Sequence, residues 1–367
     1  MSIIRPFRGI RPSAKFVEKI ITPNVSYLKK IKKDNQLNFL NILISSNITK
    51  AKNLLKKMLN KKIISQDTIK KYYLYKITYD DKCLMGIVGK VNLKNYDDKK
   101  ILGHEETFLD RIKERKAQLF KFNNQISPIY TTYKASNQQL LNLQKMFQNK
   151  PNYSIKPKDN CLHEMWVVEE LDKKRLIKSY LNKIKKIYIC DGHHRIQAML
   201  KSGKKISPMI ITFPEKQVNI IDYNRLLKTN LSSVKIKKII KKNFLIKKSS
   251  NKKKPKMHEI EMFLDKSWYL LKPLKKFNDL DVTILKKKII EKITNNEKNI
   301  KFVSGIKNKK ILEKFVNSKK FNVAFKLCPT NISQVISFAE KKKFMPPKST
   351  WFHPKPLDGL ITSKIIS

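Results

Sequence analysis

The chain has 367 residues, 41% of them hydrophobic, which is enough for a substantial core and for two domains. Its formal net charge of +52 comes from 81 Lys and Arg against 29 Asp and Glu. It has no run of about 18 apolar residues to cross a membrane, and the N-terminal MSIIRPFRGIRP lacks the pattern of a secretory signal. Cys83, Cys161, Cys190 and Cys328 stand far apart without CxxC spacing, against a zinc ribbon or a disulfide framework and in keeping with a cytoplasmic protein.

Residues 1–50 read as a short extended IIRPF, a loop and an apolar segment LNFLNILI. From Ala51 to Ile64, the spacing of Leu54, Leu55, Met58 and Leu59 is helical. YYLYKITY and LMGIVGKVNL, joined by DDK, read as a hairpin, and HEETFLDRIKERKAQLF as an amphipathic helix. MWVVEEL, IYIC and PMIITF suit buried strands, separated by helices such as KKRLIKSYLNKI and HRIQAMLKSG. After YNRLLKTN the texture turns to Lys, Ile and polar residues, with SSNKKKPK as a candidate loop or boundary. Beyond it, EIEMFL and SWYLLKPL predict a second hairpin. DVTILKKKIIEKI, KKILEKFVNS and ISQVISFAEKK predict helices alternating with strands KFVSG and VAFKL, and FMPPKSTWFHPKPLDGLITSKI a proline-punctuated loop with a last strand. The fold class is α/β, with a division into residues 1–230 and 231–367.

The charge does not by itself announce nucleic acid. Only eight of the basic residues are arginine, and the richness in Lys, Asn and Ile is what A/T-rich codons write. Phosphate and base readers favour arginine forks, so a solvated lysine coat is the expected reading and nucleic acid is not the expected partner. In such a chain each surviving arginine marks a demand for planar, bidentate guanidinium geometry.

Three boxes carry chemistry. In IYICDGHHRIQAML a strand runs through Asp191 and Gly192 into a helix starting at about Ile196. Asp191 and Gly192 can cap the helix, whose free N–H groups favour an anion, and Arg195 with a histidine, His193 or His194, would point at a phosphate. A turn with its histidines satisfied locally, or a metal held by Asp191, His193 and His194, are the competing readings. In GHEETFLDRIKER, a carboxylate beside His104 could act as general base, with Arg111 and Arg115 one turn apart on the same face; acidic residues in a first helical turn are also expected from the dipole alone. In MPPKSTWFHPK, Lys348, Ser349 and Thr350 sit between prolines without the glycines of a P-loop. They could bind a small zwitterion or a transferred phosphoryl group, or simply pack as a C-terminal loop.

Together the boxes resemble the bacterial domain-of-unknown-function family 1015. RPFRGIRP, His104-Glu105-Glu106-Thr107, Asp191 to Arg195, Tyr223-Asn224-Arg225 and Met345 to Lys355 stand in that family's order over essentially the whole chain. The family is similar to the archaeal free serine kinase and, more remotely, to the ParB/sulfiredoxin nucleotide-binding fold. The resemblance implies a kinase, a phosphotransferase of a small hydroxylated metabolite, first of all free L-serine, with ATP or ADP as donor and Mg²⁺. It implies Glu105 as the base, with His104 beside it, and Asp191, Gly192, His193, His194 and Arg195 at the phosphates, with Asp191 or Glu105 near Mg²⁺. Lys348, Ser349 and Thr350, with Arg111, Arg115 and Arg225, would face the substrate. Two departures stand out: ITPNVSYL replaces the family's PYDV run, and Trp351-Phe352 replace an arginine and a histidine of the archaeal loop. A ParB-like, nucleotide-switched nucleic-acid binder and a non-catalytic family member are the alternatives.

Overall fold

The computed structural model describes residues 2–21, 37–39, 48–157, 160–249, 255–306 and 309–365. Most of LNFLNILI and of the candidate boundary SSNKKKPK lies outside the described residues. The chain divides into two compact units: residues 1–218 together with 354–367, and residues 219–353. The division falls before the expected boundary after residue 230, and the last residues of the chain group with the first unit.

The first unit is built on a mixed sheet of nine strands: β1 (Ile4–Arg5), β2 (Tyr72–Tyr79), β3 (Lys82–Val91), β4 (Ile101–Leu102), β5 (Ile129–Tyr133), β6 (Tyr153–Ile155), β7 (Leu162–Val168), β8 (Ile187–Asp191) and β9 (Met209–Pro214). The order across it is β4-β8-β5-β9-β3-β2-β7-β6, with β1 beside β3. The expected hairpin is β2–β3, closed between Tyr79 and Lys82 with Asp80 in the left-handed region at φ 44°, a conformation aspartate tolerates. Its strands are buried on both faces over most of their length, which is why they read as near-continuous apolar runs instead of alternating ones.

Several strands escape the sequence reading, among them Ile101–Leu102, Tyr153–Ile155, Tyr223–Leu227 and Phe244–Lys248, and the most central is IYTTY. IYTTY forms β5, buried throughout, antiparallel to β8 and parallel to β9. Its two threonines are accommodated because Thr131 Oγ1 and Thr132 Oγ1 donate to the carbonyls of Ile211 (3.0 Å) and Phe213 (2.7 Å).

The N-terminal RPFRGIRP box is structural in its contacts. The Arg11 fork donates to both oxygens of Asp67 (2.7 and 3.0 Å) and to the Tyr153 hydroxyl (2.9 Å). Asp67 also accepts from Tyr73 (2.6 Å) and pairs with Lys71 (3.2 Å). Here the expected demand for guanidinium geometry is met by a buried carboxylate.

The second unit holds a six-stranded antiparallel sheet of β10 (Tyr223–Leu227), β11 (Phe244–Lys248), β12 (Ile260–Leu264), β13 (Ser267–Pro273), β14 (Ile300–Ser304) and β15 (Val323–Leu327), in the order β11-β13-β12-β15-β10-β14. The EIEMFL and SWYLLKPL segments pair as expected. Leu226, Phe263, Trp268, Val303 and Ala324 pack with Leu312 and Val316 of the helix Lys309–Asn317. Segment 281–293, expected as one helix, is α-helical over Asp281–Leu285 and Glu291–Ile293 with a π-helical turn at Lys286–Ile290 between them. Both units confirm an α/β chain.

Candidate active site

Two of the boxes meet because of strand direction. β4 and β8 are parallel neighbours, with Ile101 opposite Ile187 and Leu102 opposite Tyr188. Their carboxyl ends therefore lie on the same edge, where open α/β sheets place ligands. Gly103-His104-Glu105 continues from β4, and Gly192-His193-His194-Arg195 from β8.

The turn after β8 begins with a register shift between Ile189 and Asp191, the kind of bulge that re-aims a side chain beside a functional edge. Gly192 follows at φ 107°, a conformation that strains any residue with a Cβ, and it occupies the cap position of the helix His193–Leu200. No side chain caps this helix. The expectation that Asp191 does so is corrected: its carboxylate accepts from Lys355 Nζ (2.5 Å) and from Arg195 Nη2 (3.4 Å). Charge-assisted partners hold it more strongly than a neutral backbone N–H would. Burial works against its ionisation, but Lys355 and Arg195 outweigh that and hold it below the usual carboxylate range.

His193 is buried, and its Nε2 accepts from the backbone N–H of His104 at 3.3 Å. With Nε2 accepting, the neutral ring carries its proton on Nδ1, which faces Glu105 Oε2 at 3.3 Å. That contact is longer than a well-formed hydrogen bond, as catalytic pairs often are before ligand is bound. Gly103 leaves room for the ring: a Cβ there would stand 3.0 Å from His193 Cδ2. His104 is fully buried and meets His193 edge to face, with ring centroids 4.6 Å apart. Burial, and then the neighbouring imidazole, push its pKa down to about 3, so it stays neutral. Burial alone would raise Glu105, but the contact with His193 and the adjacent imidazoles prevail and hold it at about 2. An ionised, partly exposed carboxylate thus faces a histidine of fixed tautomer.

Arg195 is oriented by the loop before β5. Its Nη1 donates to the Ser127 carbonyl (2.8 Å) and to Ser127 Oγ (3.0 Å), and its Nη2 to the Pro128 carbonyl (3.3 Å) as well as to Asp191. His194 Nε2 accepts from the Phe108 N–H at 3.3 Å, and burial lowers its pKa. Arg111 is exposed and paired with Glu114 (3.0 Å); Arg115 donates to Gln118 (2.6 Å). Both are on the helix Leu109–Phe122, which packs through Ile112 and Leu119 on Ala198 and Met199 of the helix after Gly192. Two charged residues at this edge were not singled out from sequence. Lys355 lies 164 positions from Asp191, too far for any local pattern to pair them. Asp358 is buried, and that burial raises its pKa to about 6 against the pull of Arg195 and a hydrogen bond to Ser127.

The remaining predicted residues belong to the second unit. Lys348 is exposed, sits at φ 59°, and carries its ammonium 5.5 Å from the Tyr223 ring centroid. Ser349 and Thr350 are buried, and Ser349 Oγ donates to the Pro346 carbonyl (2.5 Å). Arg225, also buried, donates to the carbonyls of Tyr223 and Lys348, the latter at 3.0 Å. Burial lowers its pKa to about 10.

The model of the family described as "Protein of unknown function (DUF1015)" matches residues 4–295. The chain belongs to this family. A search of curated proteins finds no match. Among solved structures, a mutant of free serine kinase in complex with AMP is similar at 11% identity and a TM-score of 0.45, covering 76% of this chain and 92% of that one. A conserved hypothetical protein from Pyrococcus furiosus shows 12% identity and a TM-score of 0.41 over 75% of this chain and 93% of its own. SbnI with a C-terminal truncation, from Staphylococcus aureus, shows 12% identity and 0.43 over 74% and 85%.

Among the described residues no group of three or more His, Cys, Asp or Glu is arranged to hold a metal ion, and no helix is long and apolar enough to cross a membrane. The metal reading of Asp191, His193 and His194 has no support, since Asp191 is taken by two cations and both His193 Nε2 and His194 Nε2 accept backbone N–H groups. The donor set does suit Mg²⁺ carried in on nucleotide phosphates, which needs only one or two protein carboxylates.

Proposed function

We propose that the chain is a nucleotide-dependent kinase of a small hydroxylated metabolite, with free L-serine as the first candidate acceptor and O-phospho-L-serine as product. The observation that carries this reading is Glu105 facing His193 at the shared carboxyl edge of two parallel strands, next to the Gly192–Arg195 turn. Phosphoryl transfer asks mainly for positioning, charge neutralisation and one carboxylate to orient the nucleophile.

In this account the N–H groups of the first helical turn and the Arg195 guanidinium meet the donor phosphates. Arg195 is held in place by Ser127 and Pro128, and Lys355 by its pair with Asp191. Glu105 accepts the proton of the acceptor hydroxyl as the new O–P bond forms and the donor's terminal P–O bond breaks; the nucleotide leaves one phosphate shorter. His193 keeps Glu105 ionised and oriented, and neutral His104 fixes the tautomer of His193 through its backbone N–H. Mg²⁺ carried in by the nucleotide would offset the charge of the phosphates, with Glu105 as its protein contact, since Asp191 is held by Lys355 and Arg195. Within the second unit, Arg225 braces the loop that carries the exposed Lys348.

Purified protein incubated with Mg²⁺, L-serine and either ATP or ADP is expected to yield O-phosphoserine detectable by mass spectrometry. Nucleotide binding without product from either donor, on L-serine or on a panel of small hydroxy acids, would contradict the kinase reading.

A further inference from the structure

Phe108 stands where local rules favour a different residue. It occupies the cap position of the helix Leu109–Phe122, at φ −91° and ψ 135°, and no side chain caps that helix. Ser, Thr, Asp or Asn would satisfy the orphan N–H groups there, and phenylalanine forgoes that bond. It also leaves apolar surface in water: Phe108 is 48% exposed and Leu109 is 62% exposed. A single exposed apolar side chain is ordinary. Two in a row, replacing a helix cap three residues from Glu105, constitute a local cost of the kind that marks functional positions.

The ring is also held in a defined orientation. The Phe108 N–H donates to His194 Nε2 at 3.3 Å, and the two rings stack with centroids 6.2 Å apart and planes 21° from parallel. One aromatic plane is thus fixed beside the turn that holds Arg195. Arg111 and Arg115 act on His194 electrostatically and add positive charge along the same side.

We infer that Phe108, backed by Leu109, is the platform on which the nucleobase of the bound nucleotide stacks. The inference rests on the kinase reading of this site and names its base-binding element. A small hydroxylated acceptor has no flat apolar face for an aromatic ring to cover, whereas a purine does. A base on Phe108 would lie beside His194, itself part of the phosphate turn. Stacking on an aromatic side chain tolerates different bases, so the platform sets affinity for nucleosides more than choice among them.

The test compares ADP and inorganic pyrophosphate, by calorimetry, on the full-length wild type and on Phe108→Ser. Serine is the better helix cap, so the melting temperature of the variant is expected to hold or rise. ADP affinity is expected to fall roughly 5- to 100-fold, the loss of one stacked base, while pyrophosphate affinity stays unchanged. A second variant, Phe108→Trp, is expected to bind ADP as the wild type does and to show indole fluorescence quenched by ADP but not by pyrophosphate. Unchanged ADP affinity in Phe108→Ser would overturn the platform and leave the nucleotide reading standing. A wild type that binds pyrophosphate as tightly as ADP would overturn it as well. A wild type that binds neither ligand would remove the nucleotide reading and the platform together. Binding of single-stranded oligonucleotides that is lost in Phe108→Ser, without ADP binding, would assign the ring to nucleic acid and overturn the inference.

Discussion

The Gly192–Arg195 turn and the MPPKST loop each gather charged and polar groups around an arginine, Arg195 in the first and Arg225 of β10 in the second, yet they are built differently. In the turn, the charged groups act on one another: Asp191 with Lys355 and Arg195, Glu105 with His193, Asp358 beside Arg195. In the loop the polar groups close on the backbone: Ser349 on the Pro346 carbonyl, Arg225 on the carbonyls of Tyr223 and Lys348, with Lys348 alone turned outward. Clusters of coupled titratable groups are what functional sites accumulate, while groups satisfied by nearby carbonyls are what rigid supports accumulate. Similar motif density therefore marks chemistry in one region and bracing in the other. The arginines show it most plainly: Arg195 shares its bonds between the Ser127 and Pro128 carbonyls, the Ser127 hydroxyl and the Asp191 carboxylate, whereas Arg225 bonds to carbonyls.

The sharpest way to break that comparison is to remove each arginine. Arg195→Ala leaves the Ser127 and Pro128 carbonyls short of a donor and Asp191 with Lys355 alone, at about 1–3 kcal/mol. Urea unfolding is expected to show that cost, with phosphoryl transfer abolished. Arg225→Ala strands only neutral carbonyls, at about 1–3 kcal/mol, and transfer should survive at reduced rate. Equal and complete loss of activity in both variants, with stability intact, would erase the distinction.

A second contrast lies in pH. The Asp358 carboxyl titrates near 6 in the folded chain, against the ordinary 3.8. Between those values the native state binds more protons than the unfolded state, so stability falls as pH rises through that window. Asp358→Asn is expected to be the more stable protein at pH 7–8, by about 3 kcal/mol at most, with the difference vanishing below about pH 4. A thermal unfolding series from pH 4 to 8 reads it directly, and a constant difference across the series would rule out Asp358 as its source.

The smallest effects are expected at Lys348. It is exposed and sits at φ 59°, so Lys348→Gly relieves backbone strain worth about 1 kcal/mol, whereas Lys348→Ala leaves the strain in place. The two variants should differ in melting temperature by a few degrees at most, and equal melting temperatures would contradict the strain at this position.

Much of this was legible in the sequence. The hairpin Tyr72–Val91, the strand into the turn at Gly192 and the basic helix after Glu105 follow from apolar runs, turn residues and periodicity. Three features were not. β5 is short, carries two threonines and follows a proline, so nothing in IYTTY announces a strand at the heart of the sheet; its hydroxyls find partners only once β9 is beside it. The pair of Asp191 with Lys355 spans 164 positions, and no local pattern encodes it. Asp191 looks like a helix cap because aspartate next to glycine usually is one, and that role yields only when two distant cations arrive at its carboxylate.

The most direct measurement on the central claim is Glu105→Gln, assayed for O-phosphoserine formation and titrated with ADP in parallel. Glutamine keeps the size of the side chain and removes the carboxylate. The account predicts turnover reduced by about 10²–10⁴-fold with ADP affinity essentially unchanged. A fully active variant would contradict the assignment of Glu105 as the proton acceptor, and with it the reading of this strand edge as a phosphoryl-transfer site.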